Sequence, residues 1–595
     1  MKADLLEPMV EAEKLLIWES RKSLMSIPAA LPKLVLAVDY TKVEQVTELH
    51  RLLNMWQCFS ATDALTLLGP SFADPAVRSF AVTRLDSWTD DEMRIYMLQL
   101  TNSLRHEPYH DSALSRLLVR RALRNPDIIG HVLYWNLRSS LYDNLVRTRN
   151  TIVLQIYLMH VEDIHRLEFG RQLYLVQKLK DLSMALKEFK SLDRKRREIK
   201  TGLQHLTTEK FFKTYQLPLS PNFICKNINI QKCRVMDSKQ VPLWLNFDAI
   251  AIPKNLSTQE ARGQSNFPTY TLQAMFKTGD DLRQDQLTIQ ILQVMDQMWK
   301  KNKLDLLMSP YSVVPTGEEE GFIEIVENSK TVAGIVKTGN TEGLFLKKLR
   351  IARDAMFKTT YISDWLSLQN NEHGTNWNFE SVQTFDTQTE QLFGKKQKKR
   401  KTYGRENSRN RGKMVTSRSN TATKKRPYYK RRFMRSCAGY CVATYVLGLG
   451  DRHNDNIMVT RDGRLFHIDF GHFLGNFKSK FGYKRERESF VFTPAFASVM
   501  DGENSPMFGQ FVETCGEAYN ILRENANLLF SLLQLMISAE IPELRSNKDI
   551  MYMREKLMLH LSPEDAAKHF EKEIYKNMKS TKQKMNDAAH LIRRS

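Results

Sequence analysis

The chain has few cysteines, and its six cysteines are scattered over 595 residues. This usage provides no disulfide framework and suits a reducing compartment. Cys437 and Cys441 lie four residues apart in an apolar stretch, a spacing that two metal ligands can share. Because no further His or Cys pair with ligand spacing lies nearby, we interpret them as buried thiols.

Long apolar runs are also absent. No stretch reaches the roughly 18 consecutive apolar residues that a membrane-spanning helix needs, so the sequence predicts none. The opening residues, MKADLLEPMV, do not show the basic-then-apolar pattern of a secretory leader. The hydrophobic fraction of 42% is ordinary for a globular protein, and the length leaves room for two or three domains.

Acidic residues are nearly absent between Lys395 and Arg432. About 17 basic residues accompany a single acid, Glu406, so this segment carries about +16 of the net charge of +21. The remainder is only mildly basic, and we therefore expect no specific nucleic-acid partner. We interpret residues 370–432, which are polar, as a disordered insertion. Binding to an anionic membrane, or a nuclear or nucleic-acid role, is the alternative for its basic clusters.

The densest set of chemically useful residues lies in the stretch GLGDRHNDNIMVTRDGRLFHIDFGH, residues 448–472. An apolar run at 436–447 predicts a buried helix before it. Ile457–Thr460 and Arg464–Ile468 predict two strands of a hairpin that turns at Asp462-Gly463. The hairpin carries four polar candidates at its ends, namely Asp451, His453, Asn456 and Asp469.

Asn456 and Asp469 are candidate metal ligands. Mg²⁺ prefers oxygen ligands and keeps several waters, so one carboxylate, one amide oxygen and nucleotide phosphates suffice to hold it. Protein kinases place an Asp and an Asn five residues apart before a DFG Asp, and Asp451 to Asn456 has that spacing. The loop reads D-R-H instead of H-R-D, which argues against an ordinary protein kinase. Local hydrogen bonds in a turn are the alternative interpretation.

The motifs GDRHNDN and HIDFGH resemble the catalytic and activation loops of phosphoinositide 3-kinases and are similar to those of the class I catalytic subunits. The resemblance implies ATP-dependent phosphorylation of the inositol 3-hydroxyl of a phosphoinositide, with Mg²⁺ bound by Asn456 and Asp469. It points to phosphatidylinositol 4,5-bisphosphate as the substrate, in receptor or growth-factor signalling. It also implies a cytoplasmic enzyme that is recruited peripherally to the plasma membrane.

The first third of the chain shows apolar residues at helical spacing, with good helix starts at Asp74-Pro75 and Thr89-Asp90-Asp91. A helix-pair repeat predicts a short solenoid. The run EPYHDSALSRLLVRRALRNPDIIGHVLYWNLRS resembles the helical domain of the family. We therefore predict an all-α helical-repeat domain and linker at 1–205, followed by an α+β two-lobed kinase domain. Its small lobe is predicted at 206–326 and its large lobe at 327–595.

In the family this helical domain helps to receive regulatory partners. An acidic patch at its start meets an SH2 module of the regulatory subunit in some members, and Glu11 and Glu13 lie in the matching region. An SH2-containing regulatory subunit is therefore a candidate partner, and a solvated helix start is the alternative. His106, His110 and His131 are isolated in the sequence, and we interpret them as packing or solvated residues.

The small lobe contains two stretches, CRVMDSKQVPLWLNF and MFKTGDDLRQD, that resemble the phosphate-binding loop and a signature of the family. Lys277 ends a predicted strand, where its charge can stabilise the transferring phosphoryl group. Residues 321–326 resemble the hinge, whose backbone at Glu324 and Val326 would bind adenine. The implied ATP-binding set is Met236, Ser238, Lys239, Trp244, Lys277, Asp285, Tyr311, Glu324, Ile325 and Val326.

The segment after Gly471 faces the substrate in kinases of this plan, and its charge therefore bears on substrate choice. Lipid headgroups with several phosphates need several cations, and the class I pattern has two basic clusters here. Family members that use only unphosphorylated phosphatidylinositol have a less basic loop. The implied substrate-binding residues are Lys478, Lys480, Lys484 and Arg485.

Either Asp451 or His453 is expected to take the proton of the attacking hydroxyl. We favour His453, whose ordinary pKa suits neutral pH, with Asp451 orienting it. The resemblance does not extend to the adaptor-binding, Ras-binding and C2 domains of the family, nor to its terminal Trp-containing helix. A catalytically impaired truncated isoform that acts through partner binding, and a related serine/threonine protein kinase, are therefore the alternative functions.

Overall fold

The structure is a computed structural model that describes residues 6–56, 59–208, 214–252, 267–338, 359–371, 427–476, 479–480, 483–484 and 490–579. Buried apolar side chains form one large core that continues from the helical region into both lobes of the domain that follows. The helical region and this two-lobed domain therefore pack as one body.

The first third of the chain is helical, as predicted. Asp74 caps its helix through Oδ1, which accepts the Ala76 N–H at 2.7 Å, and Thr89 forms a capping box with Glu92. The helices are α1 (Glu11–Glu19), α2 (Arg21–Leu24), α3 (Leu31–Leu36), α4 (Val43–Met55), α5 (Ala61–Ala64), α6 (Pro75–Leu85), α7 (Asp90–Ser103), α8 (Ala113–Arg124), α9 (His131–Ser139), α10 (Arg147–His160), α11 (Asp163–Lys187) and α12 (Leu192–Thr208).

Stacked helix pairs build this region. Helix α6 packs against α8, and α7 packs against α9, which is the arrangement expected of a short helical solenoid. The apolar face of α8 includes Leu114, Leu117 and Leu118, all essentially inaccessible to solvent. The amphipathic pattern in the sequence therefore identified the packing face correctly.

The last two helices of this region are more than a linker. The Ser183 Oγ on α11 lies 2.9 Å from the Thr278 Oγ1, and the Lys187 Nζ donates to the Thr278 carbonyl at 3.0 Å. Helix α12 buries Ile199 and Leu203. The predicted domain boundary at residue 205 therefore falls inside a helix that packs on the small lobe, because the apolar residues hidden among its many charges need a partner surface.

The small lobe is an antiparallel sheet with strand order β1-β2-β4-β5-β7-β6, and β3 pairs with β4. Helix α13 (Arg283–Lys301) follows β5 and buries most of its apolar residues. The strands are β1 (Tyr215–Leu217), β2 (Ser220–Ile228), β3 (Arg234–Val235), β4 (Leu243–Ala251), β5 (Thr269–Thr278), β6 (Val313–Gly317) and β7 (Glu320–Glu324).

The large lobe combines helices with short strands. Its three-stranded sheet has the order β10-β9-β8, and β11 pairs with β12. The chain crosses from the small-lobe sheet to this sheet after β7. The elements are α14 (Val332–Thr338), α15 (Tyr361–Asn371), α16 (Tyr428–Leu447), α17 (Pro494–Val499), α18 (Pro506–Glu524), α19 (Ala526–Gln534), α20 (Asn547–Lys556), α21 (Pro563–Met578), β8 (Ser329–Thr331), β9 (Ile457–Thr460), β10 (Leu465–His467), β11 (Ser479–Lys480) and β12 (Tyr483–Lys484).

The predicted disordered insertion at 370–432 is wrong at both of its ends. Helix α15 continues to Asn371, and α16 begins at Tyr428. Two of the basic residues that end the segment pair with acids of the fold: Lys430 Nζ lies 2.5 Å from Asp501, and Arg432 lies 2.6 Å from Asp462. These charges stabilise the fold instead of forming a free patch. The remainder of the predicted insertion, 372–426, lies outside the described residues.

Candidate active site

The predicted hairpin forms with nearly the predicted bounds. Val459 of β9 pairs with Leu465 of β10 in an antiparallel register. The turn requires Gly463, which has a φ of 96° and whose added Cβ would lie 2.4 Å from the Tyr429 carbonyl oxygen. Strand β8, which the sequence analysis did not predict, adds a third strand by pairing with β9. The hairpin is thus held rigidly in the large lobe.

The loop before β9 positions Asp451 and Asn456. Asp451 has a φ of 56°, a left-handed conformation that is uncommon for a residue with a side chain and concentrates at functional sites. The Asn456 Nδ2 donates to the Asp451 carbonyl at 3.0 Å, and the Asn456 N–H donates to the His453 carbonyl at 2.8 Å. The side-chain oxygen of Asn456 is therefore the atom that remains for a cation.

Arg452 ties this loop to the segment that follows the hairpin. Its guanidinium is 4% exposed and donates to the carbonyls of Gly450 and Ile468, both at 2.8 Å, and to the Asp469 carbonyl. The carbonyl groups of Ile468 and Asp469 are thus fixed relative to the loop that carries Asp451. The sequence analysis gave Arg452 no role, although its place within the D-R-H motif was a signal.

The Asp469-Phe470 segment is held against the start of α13. The Phe470 N–H donates to Asp285 Oδ1 at 2.9 Å, and Gln284 Nε2 donates to the Phe470 carbonyl at 2.9 Å. Burial raises the pKa of Asp285 to about 6, although the Phe470 N–H and the positive charge of Lys277 act to lower it, and the charge of Asp469 raises it further. The structure therefore brings Asp285 close to both Lys277 and Asp469.

Tyr311 completes this inner wall. Its ring stacks near the Phe470 ring, with centroids 6.4 Å apart. Burial raises the pKa of the Tyr311 phenol well above its ordinary value, and the charge of Asp285 adds to the increase. Tyr311 and Asp285, which are separated in the sequence by most of α13, thus lie at one corner of the cleft between the lobes.

Lys277 lies near the end of β5, next to the turn between β3 and β4. Its Nζ is 3.5 Å from the Asp280 carboxylate, and its side chain is 21% exposed. Gln240 of the turn donates to the Gly279 carbonyl at 2.8 Å. The turn also contains Ser238 and Lys239, which are both exposed. The structure therefore places the proposed phosphate-binding loop beside the strand that carries Lys277.

The predicted hinge, residues 321–326, runs from β7 into the segment that leads to β8. The Glu324 N–H donates to the Ser312 carbonyl at 2.8 Å, and the Ile325 N–H donates to the Gln273 carbonyl at 3.1 Å. Glu324 can therefore offer adenine only its carbonyl oxygen as a backbone partner. The predicted apolar lining residues, Met236, Trp244 and Ile325, are half-buried, and Val326 is also half-buried.

Two histidines of the site are held in opposite ways. His453 is 5% exposed, and its Nδ1 accepts the Asp455 N–H at 3.2 Å, so the neutral ring carries its hydrogen on Nε2. His472 has its Nδ1 2.7 Å from Glu543 Oε1. A carboxylate only accepts, so this ring carries its hydrogen on Nδ1. His453 can therefore take a proton at Nδ1 only if it gives up the Asp455 bond.

The sequence analysis missed the pairing of His472 with Glu543. His472 directly follows the DFG motif, but it received no role. Glu543 is 71 residues further along the chain, in a turn without a local signal. Only the packing of the loop after α19 against the activation segment brings the two together.

The residues present fit a magnesium ion. Asn456 supplies an amide oxygen, and Asp469 supplies an exposed carboxylate on a backbone with a φ of 62°. Within the described ranges, no group of three or more His, Cys, Asp or Glu side chains is placed to hold a metal ion. A pair of oxygen ligands that is completed by nucleotide phosphates matches the way Mg²⁺ is bound in phosphoryl-transfer sites.

The basic activation segment is described only in part. Lys480 and Lys484 lie in a two-stranded hairpin in which Ser479 pairs with Lys484 and Lys480 pairs with Tyr483. Lys478 and Arg485 lie outside the described residues.

The predicted buried thiols are found in the interior: Cys437 Sγ and Cys441 Sγ are 3.9 Å apart, and burial raises the pKa of the Cys437 thiol.

Two features together define a two-lobed kinase. The antiparallel lobe carries a lysine at the end of β5, and the helical lobe carries an Asp–Asn pair on a hairpin. Residues 271–546 match the family model "Phosphatidylinositol 3- and 4-kinase". Residues 1–169 match "Phosphoinositide 3-kinase family, accessory domain (PIK domain)". The chain belongs to the phosphoinositide 3-kinase family.

Three relatives from Dictyostelium discoideum extend this finding. The chain is 36% identical to phosphatidylinositol 3-kinase 2 over 590 residues and 38% identical to phosphatidylinositol 3-kinase 3 over 597 residues, in each case over 99% of this chain. It is 37% identical to phosphatidylinositol 3-kinase 1 over 574 residues, 96% of this chain. The matches cover 28%, 30% and 31% of these relatives, so the chain spans less than a third of their length.

Among the helices in the described part of the chain, none combines the length and apolar character needed to cross a bilayer.

Proposed function

We propose that the chain transfers the γ-phosphoryl group of ATP to the 3-hydroxyl of an inositol lipid, converting phosphatidylinositol 4,5-bisphosphate to the 3,4,5-trisphosphate. The observation that supports this proposal is that two groups of residues meet between the lobes of a phosphoinositide 3-kinase domain. These groups are the Asn456–Asp469 pair, whose backbones are joined through the Ile468 N–H and the Asn456 carbonyl, and Lys277 beside Asp285. The charge of the activation segment, which includes Lys480 and Lys484, supports the choice of a headgroup with several phosphates.

Nucleotide binding is assigned to the small lobe and the corner beneath it. Lys277, Ser238 and Lys239 hold phosphate oxygens by charge and hydrogen bonds. The Glu324 carbonyl and the Val326 amide bind the adenine edge. The apolar walls and the inner corner are formed by Met236, Trp244, Ile325, Asp285 and Tyr311.

Phosphoryl transfer then depends mainly on position and charge. Asn456 and Asp469 would hold Mg²⁺, which neutralises charge on the phosphates when it is bound. The hydroxyl proton passes either to His453, which gives up its bond from the Asp455 N–H, or to Asp451.

The activation segment is assigned to the lipid headgroup. Several cations suit a headgroup with several phosphates, and Lys478, Lys480, Lys484 and Arg485 are assigned to it. We further propose that the chain acts in receptor or growth-factor signalling and is recruited from the cytoplasm to the plasma membrane surface. An SH2-containing regulatory subunit is the proposed protein partner, at the start of α1 near Glu11 and Glu13.

The test is a kinase assay on the full chain with Mg²⁺-ATP. Vesicles that carry phosphatidylinositol or its 4,5-bisphosphate are compared with a protein substrate. Asp469→Asn serves as the inactive variant, and Asp111→Asn, an exposed carboxylate of the helical region, serves as the matched control.

Phosphorylation of the bisphosphate that is lost in Asp469→Asn and kept in Asp111→Asn supports the proposal. Product only from unphosphorylated phosphatidylinositol corrects the substrate, and product only from protein replaces the lipid activity with a protein kinase activity. Bound ATP without any product points to an impaired form that acts through partner binding.

A further inference from the structure

The loop between α19 and α20, residues 535–546, contacts the segment after the DFG motif through the Glu543 side chain. Its Oε1 lies 2.7 Å from His472 Nδ1, and its Oε2 accepts the Phe473 N–H at 2.6 Å. Gln284 Nε2 lies 3.5 Å from the same Oε2. The Glu543 side chain is 15% exposed, so both short contacts are shielded from solvent. Charge-assisted hydrogen bonds of this kind are stronger than neutral ones.

The segment that Glu543 holds is itself part of the catalytic geometry. The His472 carbonyl accepts the Gly450 N–H at 2.9 Å, immediately before Asp451. The Leu474 N–H donates to the Leu447 carbonyl at 2.7 Å. Glu543 therefore acts on a short stretch that lies between the metal-ligand candidate Asp469 and the basic hairpin, and that also contacts the loop carrying Asp451.

The carboxylate also fixes the chemical state of the His472 ring. Since Nδ1 must donate to Glu543, the neutral ring keeps its lone pair on Nε2. A histidine whose second nitrogen is held by a carboxylate is a recurrent way to orient a functional imidazole. The His472 side chain is 28% exposed. In this tautomer Nε2 is the acceptor atom of the His472 ring, whereas the neutral His453 ring carries its hydrogen on Nε2.

The other half of the same loop is anchored by the helical region. The Asn102 Nδ2 donates to the Leu535 carbonyl at 2.6 Å, and His106 Nε2 lies 3.1 Å from Ser538 Oγ. Arg105 contacts the Ser538 carbonyl, and Arg283 of α13 donates to the Ala539 carbonyl at 2.8 Å. The loop is thus fixed at its start, which makes Glu543 a defined support for His472.

We propose that Glu543 is a positioning residue for phosphoryl transfer. It holds the His472 ring with its lone pair on Nε2, and it holds the Phe473 backbone so that the segment after Asp469 keeps its place. The kinetic part of this inference rests on the proposed lipid kinase activity, while its structural part concerns the state of the His472 ring alone.

The test compares Glu543→Gln with Glu540→Gln in the full chain. The glutamine side chain is similar in shape to that of Glu543 and can still accept the Phe473 N–H, but its amide nitrogen can donate to His472. Glu540 is an exposed carboxylate of the same loop that does not touch His472, so its variant matches the charge change. Nitrogen-15 NMR of histidine-labelled protein reports the tautomer, with His472→Gln used to assign the His472 signals.

In the wild type we expect the hydrogen of His472 on Nδ1, and in Glu543→Gln we expect it to move to Nε2. The turnover number should fall about 10- to 100-fold, as when a carboxylate that orients a histidine is removed, with ATP affinity unchanged within about twofold. Glu540→Gln should match the wild type in both measurements.

An unchanged His472 tautomer in Glu543→Gln, or an unchanged turnover number, overturns the proposal. An equal loss of turnover in Glu540→Gln would show a general charge effect and would also overturn it. If the wild type phosphorylates no lipid, the proposed function fails, and the tautomer measurement still decides whether Glu543 sets the state of His472.

Discussion

Two buried arginines show how differently the helical region and the catalytic hairpin use the same side chain. Arg78 of α6 is 1% exposed, pairs with Glu107 at 2.7 Å and donates to the Leu68 carbonyl at 3.0 Å. Arg452 is 4% exposed and donates to the carbonyls of Gly450 and Ile468. Both guanidiniums satisfy buried carbonyls, and both are therefore important for folding.

What the two arginines hold is different. Arg78 joins Glu107 to the Leu68 carbonyl inside a helical scaffold. Arg452 lies between Asp451 and Asp469, which both have left-handed backbone with φ of 56° and 62°. Strained backbone of this kind is maintained only when the surrounding contacts determine it. Burial and satisfied carbonyls therefore do not distinguish these two arginines, whereas the backbone geometry that each one supports does.

The largest expected effect is on catalysis at the hairpin. His453→Ala should lower the turnover number by about 10²- to 10⁴-fold, the range that a positioned proton-transfer group contributes. ATP affinity should stay close to that of the wild type, because His453 lies in the loop before β9 and is not among the proposed nucleotide-binding residues. Steady-state kinetics and a nucleotide-binding titration measure both. Retained turnover would transfer the proton-acceptor role to Asp451.

The next prediction separates the two arginines. Arg452→Met and Arg78→Met should each lower the free energy of unfolding by about 3 kcal/mol or more, because each leaves several buried carbonyls without a donor and Arg78→Met also leaves Glu107 unpaired. Only Arg452→Met should also remove turnover per folded molecule, since it releases the Asp469 backbone. Denaturant titration and active-fraction kinetics measure the two effects. Equal turnover in the two variants would contradict the distinction.

A smaller effect concerns the contact of the helical region with the small lobe. His131 is 5% exposed, its Nε2 lies 2.9 Å from the Pro218 carbonyl oxygen, and burial lowers its pKa to about 4 from 6.5. The unfolded state therefore takes up the proton first as the pH falls below 6.5. Stability should be lost between pH 6.5 and 4, by up to about 3 kcal/mol.

His131→Gln keeps a donor for the Pro218 carbonyl and removes the titrating group. The difference in unfolding free energy between the wild type and this variant should therefore change with pH in that window, as followed by chemical denaturation at a series of pH values. His110→Gln, at an exposed histidine of the same region, is the control. A difference that is constant with pH would show that His131 is not linked to folding.

The smallest effect is expected on the helical surface. Arg120 lies 2.7 Å from Asp86, and its side chain is 55% exposed. Exposed ion pairs contribute little, so Arg120→Ala should change stability by less than about 1 kcal/mol and leave turnover unchanged. A large loss in thermal denaturation would mean that this pair is part of a buried network that the geometry does not indicate.

Much of the fold follows from local patterns. The helix start at Asp74, the hairpin turn at Gly463 and the strand at Ile457–Thr460 were predicted because capping residues, turn glycines and alternation act over a few residues. The length of α16 was underestimated, because its basic first turn looks like part of the charged segment before it. Its charges pair with Asp501 and Asp462, which are distant in the sequence.

The candidate site divides in the same way. The Asp–Asn spacing, the DFG motif and Lys277 are short-range signals, and they identified the class of chemistry. The contacts between Asp285 and Phe470, and between Glu543 and His472, join segments separated by 185 and 71 residues. No local pattern predicts such pairs, because they depend on how α13 and the loop after α19 pack against the hairpin.

The sequence by itself determined the order of the parts, the residue types at the cleft and the family to which the chain belongs. These are properties of consecutive residues, whose backbone preferences and side-chain chemistry are already set before folding. Only the tertiary structure decided the state in which those residues work. It assigned the tautomers of the two histidines, the left-handed backbone of Asp451 and Asp469, and the raised pKa of Asp285. Burial and hydrogen-bond partners set these states, and both are supplied by segments distant in the chain.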